Sequence, residues 1–295
     1  MSARPDPLAA PDALARAGVL DRVFYATGIL LAADDFDAEQ TYHRGRLARA
    51  LGYLHGSGTV AGLRVVVAPA LAPGADPAFP QGREEELRIE PGLAVDRLGR
   101  LIEMPRAACL RLDRWYQAEE VDRLRTALHA GGVIVDVFLR YVTCDRGKTP
   151  AFAAGPFDAL DAVQPSRLRD AYELTLVPRA EASPPLPETG ALGAPPLPPG
   201  DVDARRAALH EAIFTGWREG TDQWTDRGPV PLREHAAGQD PTALFLARLL
   251  LPATPAPTVD ERPLRTAGAV VSVDNESRRF VYSVVALARW LGITP

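Results

Sequence analysis

The chain carries Phe24-Tyr25-Ala26-Thr27-Gly28-Ile29-Leu30-Leu31, then Ala33-Asp34-Asp35-Phe36-Asp37-Ala38-Glu39-Gln40. After a basic run come Leu54-His55-Gly56-Ser57-Gly58-Thr59-Val60-Ala61-Gly62-Leu63-Arg64-Val65-Val66. An aromatic-glycine turn leads here into an acidic helix start. Asp34 or Asp35 suits the N-cap, because a carboxylate accepts the free N–H groups of the first turn. Asp37 and Glu39 then lie near the positive end of the helix dipole. Phe36, His43, Leu47, Leu51 and Leu54 recur at helical spacing and share one face. Arg44, Arg46 and Arg49 point mostly away from that face. The pattern predicts a helix over 35–54. Gly56, Gly58 and Gly62 then end it and permit a sharp corner into a strand over 63–67.

Outward from that corner the chain reads as β-rich. Residues 68–82 contain Pro69, Pro73, Pro77 and Pro80 and form a loop. Leu87 and Ile89, then Leu93 and Val95, alternate as strand residues do. Asp96–Arg100, with Gly99, reads as a hairpin turn that returns through Leu101, Ile102 and Met104. Residues 113–130 suit a helix. Val133 to Val142 is the strongest strand, with Asp136 and Arg140 on one side of it. Tyr172 to Val177 repeats that pattern. Residues 182–200 hold seven prolines and read as an exposed, tolerant loop or linker. Val202 to Trp217 reads as an amphipathic helix, Ala269 to Val273 as a strand, and Arg278 to Leu291 as a helix. Leu244 to Leu251 is too short for periodicity to decide between strand and helix. If it is a strand, it returns to the sheet holding Val133 to Val142.

The helix start, the glycine corner and the phrase Leu87-Arg88-Ile89-Glu90-Pro91-Gly92-Leu93-Ala94-Val95-Asp96, with Gly99-Arg100-Leu101-Ile102, together resemble a family found in gene clusters of phage-tail-like contractile injection systems. Members share a "tG-LL-aDDF-EQ-Y-R" helix start, a "LHG-G-V-GL-V" corner and a "PGlAiD-GR-I" hairpin. The resemblance covers roughly the first half of the chain, in order and spacing. It implies a non-enzymatic structural subunit of a tail-like particle, at the baseplate or at a fibre-attachment position. The implied partners are other particle subunits, in an oligomeric assembly. The implied location is cytoplasmic, then within a particle that is released or acts outside the cell. No catalytic residue, cofactor or metal ligand is carried over.

Composition agrees with a soluble globular protein. At 295 residues the chain can bury one large core or two modest ones. Hydrophobic residues make up 46% and the net charge is −5, which argues against bulk binding to nucleic acid or anionic membrane. Lys148 is the only lysine among many arginines, which reflects base composition more than function. Two cysteines, Cys109 and Cys144, make no disulfide framework and read as small buried residues. Met1 to Ala10 has no apolar run of the kind a signal peptide needs. No apolar run is long enough to insert into a membrane.

Templates for chemistry fit poorly. Gly56-Ser57-Gly58 lacks the glycines two residues either side of a nucleophilic serine, and its turn runs from helix to strand rather than the reverse. The glycines at 56, 58 and 62 follow a helix, whereas a dinucleotide loop follows a strand and opens a helix. Glu39 and His43 are four apart, but no His-Glu-x-x-His completes a zinc site. His43 is expected to pack on the inner face of the helix or to hydrogen-bond a carbonyl, and His55 is expected to fix the corner.

The expected fold is α+β: an N-terminal helix leading through a glycine-rich corner into a β-rich domain with peripheral helices. Residues 1–23 are expected as an N-terminal arm, 24–180 as helix plus β-rich core, and 181–200 as a proline-rich linker. Residues 201–295 form a C-terminal region, either separate or packed on the core. Part of the apolar stripe is expected to pack on the chain's own β-domain and part to meet a neighbour. The candidate interaction residues are therefore Phe36, Arg44, Arg46, Leu47, Arg49, Leu51 and Leu54, with Gly56, Gly58 and Gly62 as a structural corner. Two other classes stay open: a hydrolase or carbohydrate-binding accessory protein, which needs a polar cleft with convergent carboxylates or a His-paired nucleophile, and a cytosolic assembly chaperone.

Overall fold

Helix α1 (Ala33–His55) runs directly into strand β1 (Gly58–Gly62), and the rest of the first half is built from short antiparallel strands. The coordinates are a computed structural model. It describes Leu14, residues 21–150 and 163–187, and residues 201–292 apart from 223, 226, 227, 259, 267 and 291. The fold is mixed α+β, with the N-terminal helix preceding a β-rich domain.

Two three-stranded antiparallel sheets follow α1. In one, β4 (Gly92–Val95) lies between β1 and β5 (Leu101–Met104). In the other, β3 (Glu86–Ile89) lies between β2 (Val65–Ala68) and β6 (Ala108–Arg111). Leu63, Val65, Leu87, Ile89, Ile102 and Met104 are all buried and enter one core cluster. The segment expected as one helix over 113–130 is two, α2 (Leu112–Ala118) and α3 (Val121–Thr126). Glu119 and Glu120 between them take extended backbone, and Leu128–His129 is already a strand.

The largest sheet is fully antiparallel. Its main order is β8 (Arg167–Pro178), β7 (Gly132–Arg146), β9 (Leu244–Leu251) and β10 (Ser272–Asp274), and Leu128–His129 pairs with the start of β7. Leu244–Leu251 is thus a strand, and it pairs with residues 133–139 of β7, which places a segment of the C-terminal third in the middle of this sheet. Val133, Val135, Val137 and Leu139 alternate into the main core. On the opposite face Phe138 packs with Ala243, Phe245 and Leu186.

Four expectations are corrected here. Residues 278–283 are not helical: Asp274 accepts the N–H groups of Glu276 and Ser277 and turns the chain. Residues 279–281 then lie along β1, with Thr59 N donating to Arg279 O (2.9 Å) and Val281 N donating to Thr59 O (2.8 Å). Helix α4 (Val284–Trp290) starts only after Ser283, whose hydroxyl accepts the Ala286 N–H as an N-cap does. The strand expected over 269–273 is shifted to 272–274. The start of the proline-rich stretch is a packed strap, because Pro184 and Pro187 are buried, Leu186 joins the Phe138 cluster, and the Pro184 and Pro185 carbonyls accept Arg248. The remainder of that stretch, 188–200, lies outside the described residues. Cys109 and Cys144 are exposed, the first on the outer side of a four-residue strand and the second at the solvent end of β7. Among the described residues, no helix is long and apolar enough to cross a membrane.

Candidate interaction surface

Helix α1 starts two residues earlier than an Asp34 cap would have it. Ala32 is the N-cap, and Asp35 reaches back from the first turn to accept the Ala32 N–H at 2.8 Å. That contact leaves Asp34 in the first turn beside the helix dipole. Upstream, Ile29 N donates to Ala26 O across a turn at Gly28, and the Tyr25 hydroxyl donates to the Glu39 carboxylate. Residues 24–31 therefore fold back beside the start of α1.

The helix is anchored by its small residues. Ala48 is its one buried residue among those described, and the Gly52 backbone lies against Gly99 in the β4–β5 turn. The apolar stripe faces elsewhere. Phe36 is 49% exposed, Leu47 57% and Leu54 76%, while Leu51 is half-buried. At about 100° per residue, Leu47 and Leu54 fall within about 20° of Phe36, whereas Ala48 and Gly52 lie about 120° and 160° round the axis. The expectation that part of this stripe packs on the chain's own domain holds only at Leu51. His43 is corrected too: its side chain is 71% exposed, 3.8 Å from Glu39, and not on the inner face. Arg44 and Arg46 are exposed and flank the stripe on opposite sides, while Arg49 is half-buried toward the domain. The anchoring signal was present in the sequence as Ala48 and Gly52, four residues apart on one side of the helix.

The corner glycines have separate tasks. Gly56 caps α1 with φ 72°, its N–H donating to Gly52 O, in open space. Gly58 lets residues 279–281 approach, since a Cβ there would lie 2.6 Å from Arg279 O. Gly62 has φ 64° and a Cβ would lie 2.0 Å from Pro91 O. The Pro91-Gly92 pair and the corner are therefore in backbone contact, which only glycine allows. Asp96 is fully buried in the next turn. It accepts the N–H groups of Leu98 and Arg100 at 2.9 Å and the Arg100 guanidinium at 2.7 Å. Arg100 then stacks on the Tyr141 ring and reaches Thr242. Each quoted phrase of the first hundred residues thus has a place in one joint between α1, the two small sheets and the large sheet.

Buried charge elsewhere is structural in form. Asp136, fully buried, binds both Arg179 (2.8 Å) and Arg248 (2.7 Å) under the 184–187 strap. On the same side of β7, Arg140 pairs with Glu173 and Asp240. Arg278 donates to Leu63 O, Asn275 O and the Asn275 side chain, and burial lowers its pKa to about 10. His235 stacks on Phe138, with Nδ1 accepting from Leu232 N and Nε2 donating to Ala243 O. Burial pushes the imidazole below its usual range.

A cavity of about 10 Å³ beside Glu234 and Arg279 has room for a water molecule at most. An open depression of about 550 Å³ is lined by Glu84, Asp113, Arg114, Gln117 and Ala118, around the exposed Glu84–Arg114 pair. His55 is exposed and Ser57 half-buried. Among the described residues, no group of three or more His, Cys, Asp or Glu side chains is placed to hold a metal ion. A scan against protein-family models finds no match, and a search of the curated proteins finds none either.

Proposed function

We propose that this chain is a non-enzymatic structural subunit of a contractile phage-tail-like injection particle, at the baseplate or at a fibre-attachment position. It would dock on a neighbour through α1. The observation that carries the docking is the orientation of that helix: small residues anchor it, and Phe36, Leu47 and Leu54 face water beside Arg44 and Arg46. The preceding segment adds Phe24 (78% exposed) and Leu30 (94%) to the same region. Large apolar side chains exposed along one helix face support an interaction site there. The assignment to a tail-like particle rests on the resemblance of the first half of the sequence to proteins of those gene clusters. Within such a particle, the arginines would orient the contact electrostatically.

The test is Arg44→Glu and Arg46→Glu together, introduced in the organism that assembles the particle. The isolated subunit should melt within a few degrees of wild type, because both side chains are exposed and exposed charges change stability little. Particle yield should drop sharply. Normal contractile particles assembled from the double variant would remove this face from the interface.

A further inference from the structure

We infer that the exposed face of α1 pairs with α1 of a second copy of this chain, antiparallel, about a two-fold axis midway between Phe36 and Leu47. This deepens the docking reading above, on which it rests, by naming the partner. The observation is the distribution of charge. The first half of the helix carries Asp34, Asp35, Asp37 and Glu39, and the second half carries His43, Arg44, Arg46 and Arg49. A parallel pair would set like charge on like charge along its whole length. An antiparallel pair sets each half on its opposite, and it is the isologous arrangement that a two-fold dimer requires.

The register follows from the apolar residues. Phe36 and Leu47 lie on the same stripe, eleven residues or about 16 Å apart along the axis. Centring the two-fold between them puts Phe36 of one copy against Leu47 of the other, twice. A two-fold axis perpendicular to both helices keeps each flank on its own side. Arg44 and Asp37 lie on one flank, about 80° and 100° from Phe36, and Arg46 and Glu39 lie on the other, about 80° and 60° away. In this register Arg44 comes within about 3 Å of the level of Asp37 in the second copy, and Arg46 within about 3 Å of the level of Glu39. One placement therefore matches the apolar pair and both charged flanks, with Glu39 shared between Arg46 of the second copy and the Tyr25 hydroxyl of its own chain. The Ala48–Gly52 side, which holds the domain, points away from the contact.

The experiment is sedimentation velocity on the purified full chain over a concentration series, at low and moderate salt. Wild type should dimerise reversibly, and more weakly at higher salt as the flanking pairs are screened. Arg44→Glu with Arg46→Glu, and separately Asp37→Arg with Glu39→Arg, should each weaken self-association by roughly tenfold or more, since like charges then face each other on both flanks. An equimolar mixture of the two variants should recover a heterodimer, because every flank pair is again opposite in charge. The fourfold charge-swapped variant should recover the homodimer. A wild-type chain that stays monomeric across the series overturns the inference. So does dimerisation that neither double variant weakens, or a mixture that does not recover. The two readings separate cleanly: a monomer that still enters particles through α1 overturns self-pairing and leaves the particle reading, and a dimer that never enters particles does the reverse.

Discussion

Replacing Gly99 by alanine tests the joint between α1 and the hairpin turn. Two costs add at this position. Gly99 has φ 80°, and an L-residue held there costs about 1–2 kcal/mol. The new Cβ would also lie 1.8 Å from the Ala48 carbonyl oxygen, so the helix backbone must retreat by roughly 1.5 Å to reach ordinary contact. Overpacking of this kind adds about 1–3 kcal/mol. Gly74 separates the two costs, because its φ is 77° and a Cβ there would meet nothing within 4 Å. Urea denaturation should therefore show about 1–2 kcal/mol lost in Gly74→Ala and about 2–5 kcal/mol in Gly99→Ala. Ala48 is the one residue of α1 that is buried, so much of the strain can be relieved by releasing the helix rather than by unfolding the sheets. Amide exchange over residues 45–55 should accelerate in Gly99→Ala and stay unchanged in Gly74→Ala. Equal stability losses in the two variants, with unchanged exchange in α1, would refute the backbone contact as the anchor.

Three further outcomes follow from buried polar groups and the strap. Asp96→Ala leaves Arg100 and two turn N–H groups without their acceptor and should cost about 3–5 kcal/mol, read as a lowered melting temperature, while Asp96→Asn should retain part of that loss. Burial lowers the pKa of His235 below its unfolded value of about 6.5, so the unfolded chain binds the proton more readily; stability is complete above that pH and falls as pH drops toward the folded value. Denaturation midpoints measured from pH 7 to pH 5 should show this decline, and His235→Gln should flatten it. Leu186→Ala should cost about 2 kcal/mol or more if 184–187 is a packed strap, and a midpoint unchanged from wild type would show it to be a passive linker.

Local chemistry was legible in the sequence where a residue type has one local meaning. The helix, the glycine corner, the Asp96–Arg100 turn and the strong strand of β7 follow from caps, positive-φ glycines and alternation. Periodicity located the apolar stripe of α1 but could not say what covers it, and the small residues at 48 and 52 turned out to meet the Gly99 turn. The helix expected from Arg278 was an apolar pattern overridden by tertiary pairing with Thr59, and the Asp274-Asn275-Glu276-Ser277 turn signal marked the break. Proline density at 184–187 suggested a tolerant linker, yet the Pro184 and Pro185 carbonyls accept Arg248, 64 and 63 residues away in sequence. The Asp136–Arg179–Arg248 cluster had no local signature, since its members meet only when three strand segments assemble.

The central claim is membership of a tail-like particle. Sheathed particles purified from the organism that encodes this chain, washed and analysed by quantitative mass spectrometry, give the direct answer. The account predicts the chain at a fixed stoichiometry with the other tail proteins, retained through washing. A chain abundant in the lysate but missing from washed, contraction-competent particles would contradict it.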